Sequence, residues 1–400
     1  MSEELENKSQ GHEDPILAGR IANSGEPIRF ANAQRLDGFS AHSALPGQNV
    51  QVWCRLATTS ADPMFHRMVE SFSVAIGHDA AQNQIGIPPL DGAKVVLYVM
   101  KADGTAELWI DNMAISMTCV FKRDVAAMTF VFEHDLADVL DMRFPCIEIR
   151  EADRVLCLFR EGWRYALAFD FNPEGKLDLP AFYRTLGSLH RELRYRHIYD
   201  AMEDEVLFNR LAAAGWFPFA EILTSNFKEL LEHCRAEFPL VDPEQKTLAA
   251  FNKERLENLF RRWMARPHFA AKEALFRSAI DAFNRGDAVA TIKIVLTEIE
   301  GVMAEAYRTV HGQSAKTKEL LRFVIAAAEQ RAGQPNSLML PAAFARYLDT
   351  YTFANFDPVA QSGTAGSRHA VGHGAAAANT YTMTRALQAI LTLDQIAFFT

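Results

Sequence analysis

In the first half of the chain, to about residue 175, apolar and polar residues alternate with a period of two, which is typical of β-strands. Asp103-Gly104 stands between two such runs, so a β-hairpin is predicted at that turn. We expect one antiparallel sheet or sandwich over residues 26–175, with a short helix at Asp135–Asp141. The predicted strands are Asn49–Thr58, Lys94–Met100, Thr105–Asp111, Ala114–Lys122, Met128–Glu133, Cys146–Arg150, Arg154–Arg160 and Trp163–Asn172.

From about residue 180 the apolar residues recur every three to four positions, which predicts amphipathic helices. We expect a helical connector over residues 176–266 and an all-α bundle over residues 267–400, after a flexible polar tail at residues 1–25. The fold class is therefore predicted to be multidomain α+β. The predicted helices are Ala181–Met202, Glu205–Ala214, Ala220–Phe238, Glu244–Ala265, Phe269–Asn284, Ala288–Val310, Ala315–Arg331, Pro341–Asn355 and Ala375–Phe399.

The composition of the chain is that of an ordinary globular protein. The 400 residues are 49% hydrophobic and 23% charged, as in ordinary globular proteins, and the net charge of −9 argues against a protein that coats nucleic acid non-specifically. The five cysteines form no C-x-x-C pair, which fits free thiols in a reducing cytoplasm. The polar N-terminus does not have the pattern of a signal peptide, and no apolar run approaches the ~20 residues of a membrane helix. We therefore expect a cytoplasmic protein with no membrane partner.

The strongest chemical signal is the segment Ser367–Gly374, which reads Ser-Arg-His-Ala-Val-Gly-His-Gly. Arginine holds phosphate through a permanently charged planar fork, and histidine exchanges protons near neutral pH. A phosphate clamp beside a proton shuttle could cut RNA without a metal. On a continuous helix, residues five apart point ~140° away from each other, so Arg368 and His373 of one chain could not converge. Gly372 and Gly374 favour an irregular segment instead, with His373 near a helix N-terminus that attracts anions.

Two other interpretations of this segment stay open. It could be a polar turn in which Arg368 pairs with a carboxylate and His373 caps a helix. His369 and His373 also have the i, i+4 spacing of a zinc pair, although the glutamate of H-E-x-x-H is missing and Gly372 disfavours a helix.

A second candidate is the stretch of residues 251–277, where basic and aromatic side chains alternate. Arg261, Arg262 and Arg266 lie beside Phe260 and Trp263 and could guide RNA toward a cleft. The alternative is a solvated helix face in an acidic protein.

The last third of the chain, about residues 269–400, resembles the HEPN superfamily of helical-bundle proteins. Many members are RNases of bacterial toxin–antitoxin, abortive-infection and other defence systems. The likeness rests on Ala279–Asp287 running into Leu296–Gly301, and on Ser367–Gly374 followed by Thr384–Leu387. Together these stretches are similar to the RHxxxHG subgroup. Ser367 departs from that pattern, which often has asparagine before the arginine.

The resemblance implies a homodimer in which the motifs of two chains meet at one cleft. It assigns phosphate stabilisation to Arg368, acid–base chemistry to His373, and supporting roles to His369 and Glu300. No metal or other cofactor is expected. RNA is the expected substrate, and an antitoxin or a trigger molecule is a possible further partner.

We therefore expect a metal-independent endoribonuclease of defence or toxin type. The alternatives are a non-catalytic dimerisation or interaction protein with the same bundle, and a hydrolase with its site in the N-terminal half.

Overall fold

The structure is a computed structural model that describes residues 25–40, 42–332, 336–354 and 363–400. The chain divides into two compact units, each built from two stretches of sequence. Unit 1 comprises Met1–Thr118 and Asp141–Arg194, and unit 2 comprises Cys119–Leu140 and Tyr195–Thr400. The polar tail predicted at residues 1–25 lies outside the described residues, apart from Gly25.

Unit 1 is built on a six-stranded sheet in which every neighbouring pair is antiparallel, with the order β1-β6-β5-β9-β10-β4. The hairpin predicted at Asp103-Gly104 joins β5 to β6, and Gly104 has a φ of 88°. The N-terminal antiparallel β structure is thereby confirmed. The strands of the two units, of which β7 and β8 lie partly in unit 2, are Ile28–Phe30 (β1), Phe39–Ser40 (β2), Val52–Trp53 (β3), Arg55–Thr59 (β4), Val95–Met100 (β5), Ala106–Ile110 (β6), Ser116–Phe121 (β7), Leu136–Arg143 (β8), Arg154–Glu161 (β9) and Arg164–Asp170 (β10).

A helix covers each face of this sheet. The helix Phe65–Gln82 (α1) packs Phe65, Phe72 and Ile76 against one face, and Leu179–Arg194 (α2) packs Leu186 against the other. Because both faces are buried, β5 reads as an unbroken apolar run. The sequence interpretation missed α1, although its buried residues recur at helical spacing.

Three local predictions in the first half are wrong. Asp135–Asp141 is not a helix, since Leu136–Arg143 forms β8, which pairs with β7. Cys146–Arg150 starts as a turn and continues without regular structure, and its alternation reflects the burial of Ile147 and Ile149 rather than strand pairing. Met128–Glu133 is irregular up to a 3₁₀ turn, and Phe130 is 86% exposed.

Unit 2 is mostly helical, which confirms the helical C-terminal region. The long helix α10 and the last helix α14 lie against each other at its centre, and every residue of α14 from Ala386 to Phe399 is buried. The α-helices after α2 are Arg196–Glu203 (α3), Glu205–Ala213 (α4), Ser225–Arg235 (α5), Val241–Ala249 (α6), Lys253–Met264 (α7), Pro267–Ala270 (α8), Glu273–Asn284 (α9), Ala288–His311 (α10), Thr317–Ala332 (α11), Pro341–Tyr347 (α12), Arg368–Gly372 (α13) and Met383–Phe399 (α14).

Helix ends explain where the structure subdivides the predicted helices. The single helix predicted over Glu244–Ala265 is two helices, because the side chain of Asn252 accepts a hydrogen bond from the Arg255 amide and starts α7. The predicted stop and start at residues 285–287 is confirmed: Gly286 has a φ of 76° and Asp287 caps α10. None of the described helices is long and apolar enough to cross a membrane.

Candidate functional site

The Arg-His segment forms one short helical turn, α13, rather than the irregular piece expected from its glycines. The Ser367 hydroxyl caps this turn by accepting a hydrogen bond from the Ala370 amide, and it donates a second one to the Ala354 carbonyl oxygen. Gly374, not Gly372, has the left-handed conformation, with a φ of 72°. The chain therefore stays helical through Gly372, and the prediction of an irregular segment is wrong.

His373 lies at the C-terminal end of this turn, where its amide bonds the carbonyl of His369. It does not precede a helix N-terminus as predicted, since the last helix starts only at Met383. The side chain of His373 is exposed. Arg368 and His373 thus stand at opposite ends of one turn, in the arrangement that prevents convergence within a single chain.

Arg368 is held by a carboxylate from the long helix α10. Its Nη2 atom forms an ion pair with Glu300 Oε2, and the two side chains are 29% and 24% exposed. The other carboxylate oxygen of Glu300 accepts a hydrogen bond of 2.6 Å from the hydroxyl of Thr317, at the start of α11. Glu300 therefore joins the motif turn to two helices of the bundle.

The motif also contains a ring contact of His369 and a buried nitrogen of Arg368. His369 is half-buried, and its ring lies 6.2 Å from the ring of Phe353 in an edge-on arrangement. Arg368 Nε is buried and has no hydrogen-bond partner among the described residues. Within the described residues, Nη2 of Arg368 is therefore paired with Glu300 while the buried Nε is unpaired, which is rare for a buried polar atom in a folded protein.

Close backbone packing fixes the segment before Arg368. A side chain at Gly366 would collide with the hydroxyl and ring of Tyr351. The Tyr351 hydroxyl in turn accepts a hydrogen bond of 2.7 Å from Arg385 Nη1, at the start of α14. The motif turn is thus tied to α14 as well as to α10.

The three arginines predicted to bind RNA do not form one basic face. Arg262 is enclosed, since its guanidinium bonds Asp394 at 2.7 Å and Glu221 at 2.9 Å. Arg261 is exposed and donates to Asn258, whereas Arg266 is half-buried, where burial lowers the pKa of its guanidinium. Arg262 is therefore unavailable to RNA in this structure.

The pair Asp394 and Arg262 lies in a larger buried ionic cluster that sequence reasoning missed. The Asp394 carboxylate also accepts a hydrogen bond of 2.8 Å from the indole nitrogen of Trp263, and the guanidinium stacks on Phe398. Burial opposes ionisation of Glu221, but Arg262, Arg255 and Lys122 still hold the pKa of this carboxyl below its ordinary value. The only sequence signal was an aspartate inside a helical stretch with no other charged residue, Leu387–Phe399.

Within the described ranges, no group of three or more His, Cys, Asp or Glu side chains is placed to hold a metal ion. The His369–His373 pair therefore has no third ligand of these types there. Metal-free chemistry stays a prediction.

No protein-family model matches this sequence, and no curated protein or solved structure is significantly similar to it.

Proposed function

We propose that this protein is a metal-independent endoribonuclease whose site combines Arg368 and His373 from two copies of the chain. The observation that carries the proposal is the way the bundle presents these two groups. Glu300 and the cap at Ser367 fix the turn, while His373 remains exposed at its far end. A fixed cation and an accessible imidazole are the groups that RNA cleavage by 2′-hydroxyl attack needs.

The chemistry divides between the two side chains. His373 would take the proton of the ribose 2′-hydroxyl as its oxygen attacks the neighbouring phosphorus. The bond to the 5′ oxygen would break, which leaves a 2′,3′-cyclic phosphate and a 5′ oxygen that takes a proton from water. Arg368 would stabilise the negative charge that develops on the phosphate oxygens. Because one turn holds the two groups apart, the arginine of one chain would act with the histidine of its partner. Glu300 would position Arg368 and does not touch the RNA.

The test is RNA cleavage by the purified protein in EDTA. Arg368→Ala and His373→Ala should each reduce the rate by about a hundredfold or more, the usual size of a lost acid–base or oxyanion group. Their stability should change little, since both side chains retain solvent contact.

The matched controls replace the same residue types on exposed surfaces. Arg308 is 59% exposed and pairs with its own helix neighbour Glu305, and His66 is exposed on α1. Alanine at either position should leave the rate unchanged. Cleavage that requires Mg²⁺, or that survives both motif substitutions, would contradict the proposal.

One observation favours a second candidate, a non-catalytic dimerisation protein. Arg368 is already paired with Glu300 of its own chain, as in the polar-turn interpretation. If that pair is only structural, Glu300→Gln and Arg368→Ala should lower stability equally, and the double variant should lose no more than either single one. In that case the wild-type protein would also leave RNA intact at every concentration tested.

A further inference from the structure

A second candidate site lies in unit 2, away from the motif turn. A cavity of about 390 Å³ opens at the N-terminal end of helix α5. Thr224, Ser225 and Asn226 line it from the helix end, and Lys122 and Arg255 line it from other elements. Nothing in the proposed RNA chemistry uses these residues.

Lys122 is the unusual member of this group. Its side chain is 7% exposed, and its ammonium donates a hydrogen bond of 3.2 Å to the backbone carbonyl of His134. In the described part of the chain, no carboxylate lies within ion-pair distance of this ammonium. Burying a charge without a counter-charge is costly, so the arrangement favours a bound anion.

Two carboxylates, Glu221 and Asp135, also line the cavity, and both are already engaged by arginines. Glu221 bonds Arg255 at 3.2 Å and Arg262 at 2.9 Å, and Asp135 bonds Arg123 through both of its oxygens, at 2.6 and 2.8 Å. Counted with Asp394, three carboxylates face four cations in this cluster. One positive charge, that of Lys122, is left over.

The loss of hydration is visible in the acid–base behaviour of Lys122. Burial lowers its pKa to about 8, while Glu221 and Asp394 oppose this shift and Arg255 and Arg262 add to it. A bound anion would act in the same direction as the carboxylates and would stabilise the charged amine.

The end of helix α5 adds donors of its own. Thr224 stands at the N-cap position, but its side chain makes no capping hydrogen bond. Among the described residues, the N-cap side chain therefore leaves the first amides of α5 uncapped, and the positive end of the helix dipole lies at the same helix end. Thr224, Ser225 and Asn226, which carry two hydroxyls and a side-chain amide, line this end of the cavity.

We propose that this cavity binds a phosphate group, carried either by inorganic phosphate or by a small phosphomonoester such as a nucleotide. Backbone amides, hydroxyls and an ammonium are the donors that phosphate sites combine. The volume exceeds the needs of a phosphate ion and falls within the range of small-molecule pockets, which leaves room for an organic group.

The test is calorimetric titration of the full chain at pH 7 with inorganic phosphate and, separately, with AMP. Lys122→Met keeps the bulk of the side chain and removes its charge. Asn226→Asp places a negative charge at the helix end, which stabilises the helix but repels an anion. Each should weaken binding by about tenfold or more, which corresponds to about 1.4 kcal/mol. Lys228→Met is the matched control, because Lys228 is 63% exposed on the same helix.

Tighter binding of AMP than of phosphate would identify a nucleotide site, and equal binding would identify a site for the phosphate group alone. Both results support the proposal. It is overturned if neither probe gives a saturable signal up to about 10 mM, the weak end of specific recognition. Unchanged binding in folded Asn226→Asp would also overturn it, whether or not Lys122→Met folds. RNA cleavage does not enter this readout, so the two proposals can fail separately.

Discussion

The burial of one residue, Lys122, makes the stability of the protein depend on pH. The folded chain lowers the pKa of its ammonium from 10.5 to about 8, chiefly through burial. Below pH 8 both the folded and the unfolded chain carry this proton, and the folded chain does so at a cost. Between pH 8 and 10.5 the unfolded chain binds more protons, so the free energy of unfolding should rise with pH.

Lys122→Met should therefore stabilise the protein at pH 7 in buffer without phosphate. The free energy of unfolding should rise by about 2 to 3 kcal/mol. The variant no longer buries a charge, but the lost hydrogen bond to His134 offsets part of that gain. The gain should shrink as pH rises from 8 to 10.5. Urea unfolding of both proteins across this range measures the difference. A variant less stable than the wild type at pH 7 would refute this account of the buried amine.

Arg262 shows the opposite case, a buried cation whose partners are complete. Arg262→Ala would leave Asp394, which is 2% exposed, without its counter-charge. We expect a loss of about 3 to 5 kcal/mol in the free energy of unfolding. The neighbouring Arg261→Ala is the control, because Arg261 is exposed and should change stability by less than about 0.5 kcal/mol. Similar urea midpoints for the two variants would show that the ionic cluster contributes little.

Among the elements, the motif turn α13 depends on its cap because five residues cannot sustain a helix alone. Ser367 is 6% exposed and bonds both the Ala370 amide and the Ala354 carbonyl. Ser367→Ala should cost about 1 kcal/mol, the usual value of a lost N-cap.

Ser71→Ala provides the comparison for that substitution, since the hydroxyl of Ser71 is exposed and bonds the carbonyl one turn before it in α1. The midpoint of thermal unfolding should fall by about 2 °C in Ser367→Ala and by less in Ser71→Ala. Equal midpoints would mean that the cap does not hold the turn.

The element scale also shows where sequence patterns suffice. The hairpin at Asp103-Gly104 and the helix break at Gly286 follow from local backbone chemistry, so the sequence alone predicted them. Strand β8 does not, because its aspartates disfavour a strand locally. One of them, Asp138, is accommodated by distant groups, since it accepts hydrogen bonds from the Ser337 hydroxyl and, at 3.3 Å, from the Leu338 amide. Such partners cannot be read from a single segment.

For the molecule as a whole, the nuclease proposal requires two chains to supply one site. If so, Arg368→Ala and His373→Ala proteins should each be inactive alone but active when mixed and allowed to exchange subunits. Each mixed dimer would contain one complete pair, so random exchange should restore about a quarter of the wild-type rate. Sedimentation measurements of the same samples would confirm that dimers are present. A mixture that stays inactive despite subunit exchange would exclude a shared site.

The sequence predicted the residues of the Arg-His site but not the cavity beside Lys122. Residue chemistry pointed to Arg368 and His373, and the resemblance pointed to Glu300, which does contact Arg368. The cavity beside Lys122 could not be foreseen, because its lining comes from residues about a hundred positions apart, such as Lys122 and Thr224. Folding, not sequence proximity, brings those groups together.

The division of the chain into interleaved stretches has a consequence for biosynthesis. Residues 119–140 leave the ribosome before unit 1 is finished at Arg194, yet their packing partners in unit 2 come from residues 195–400. Ala137, fully enclosed in the finished core, must wait uncovered until those later helices have been translated. A premature stop after residue 194 would therefore release a product in which the apolar residues of 119–140 stay exposed. Chaperones and proteases would recognise such a product.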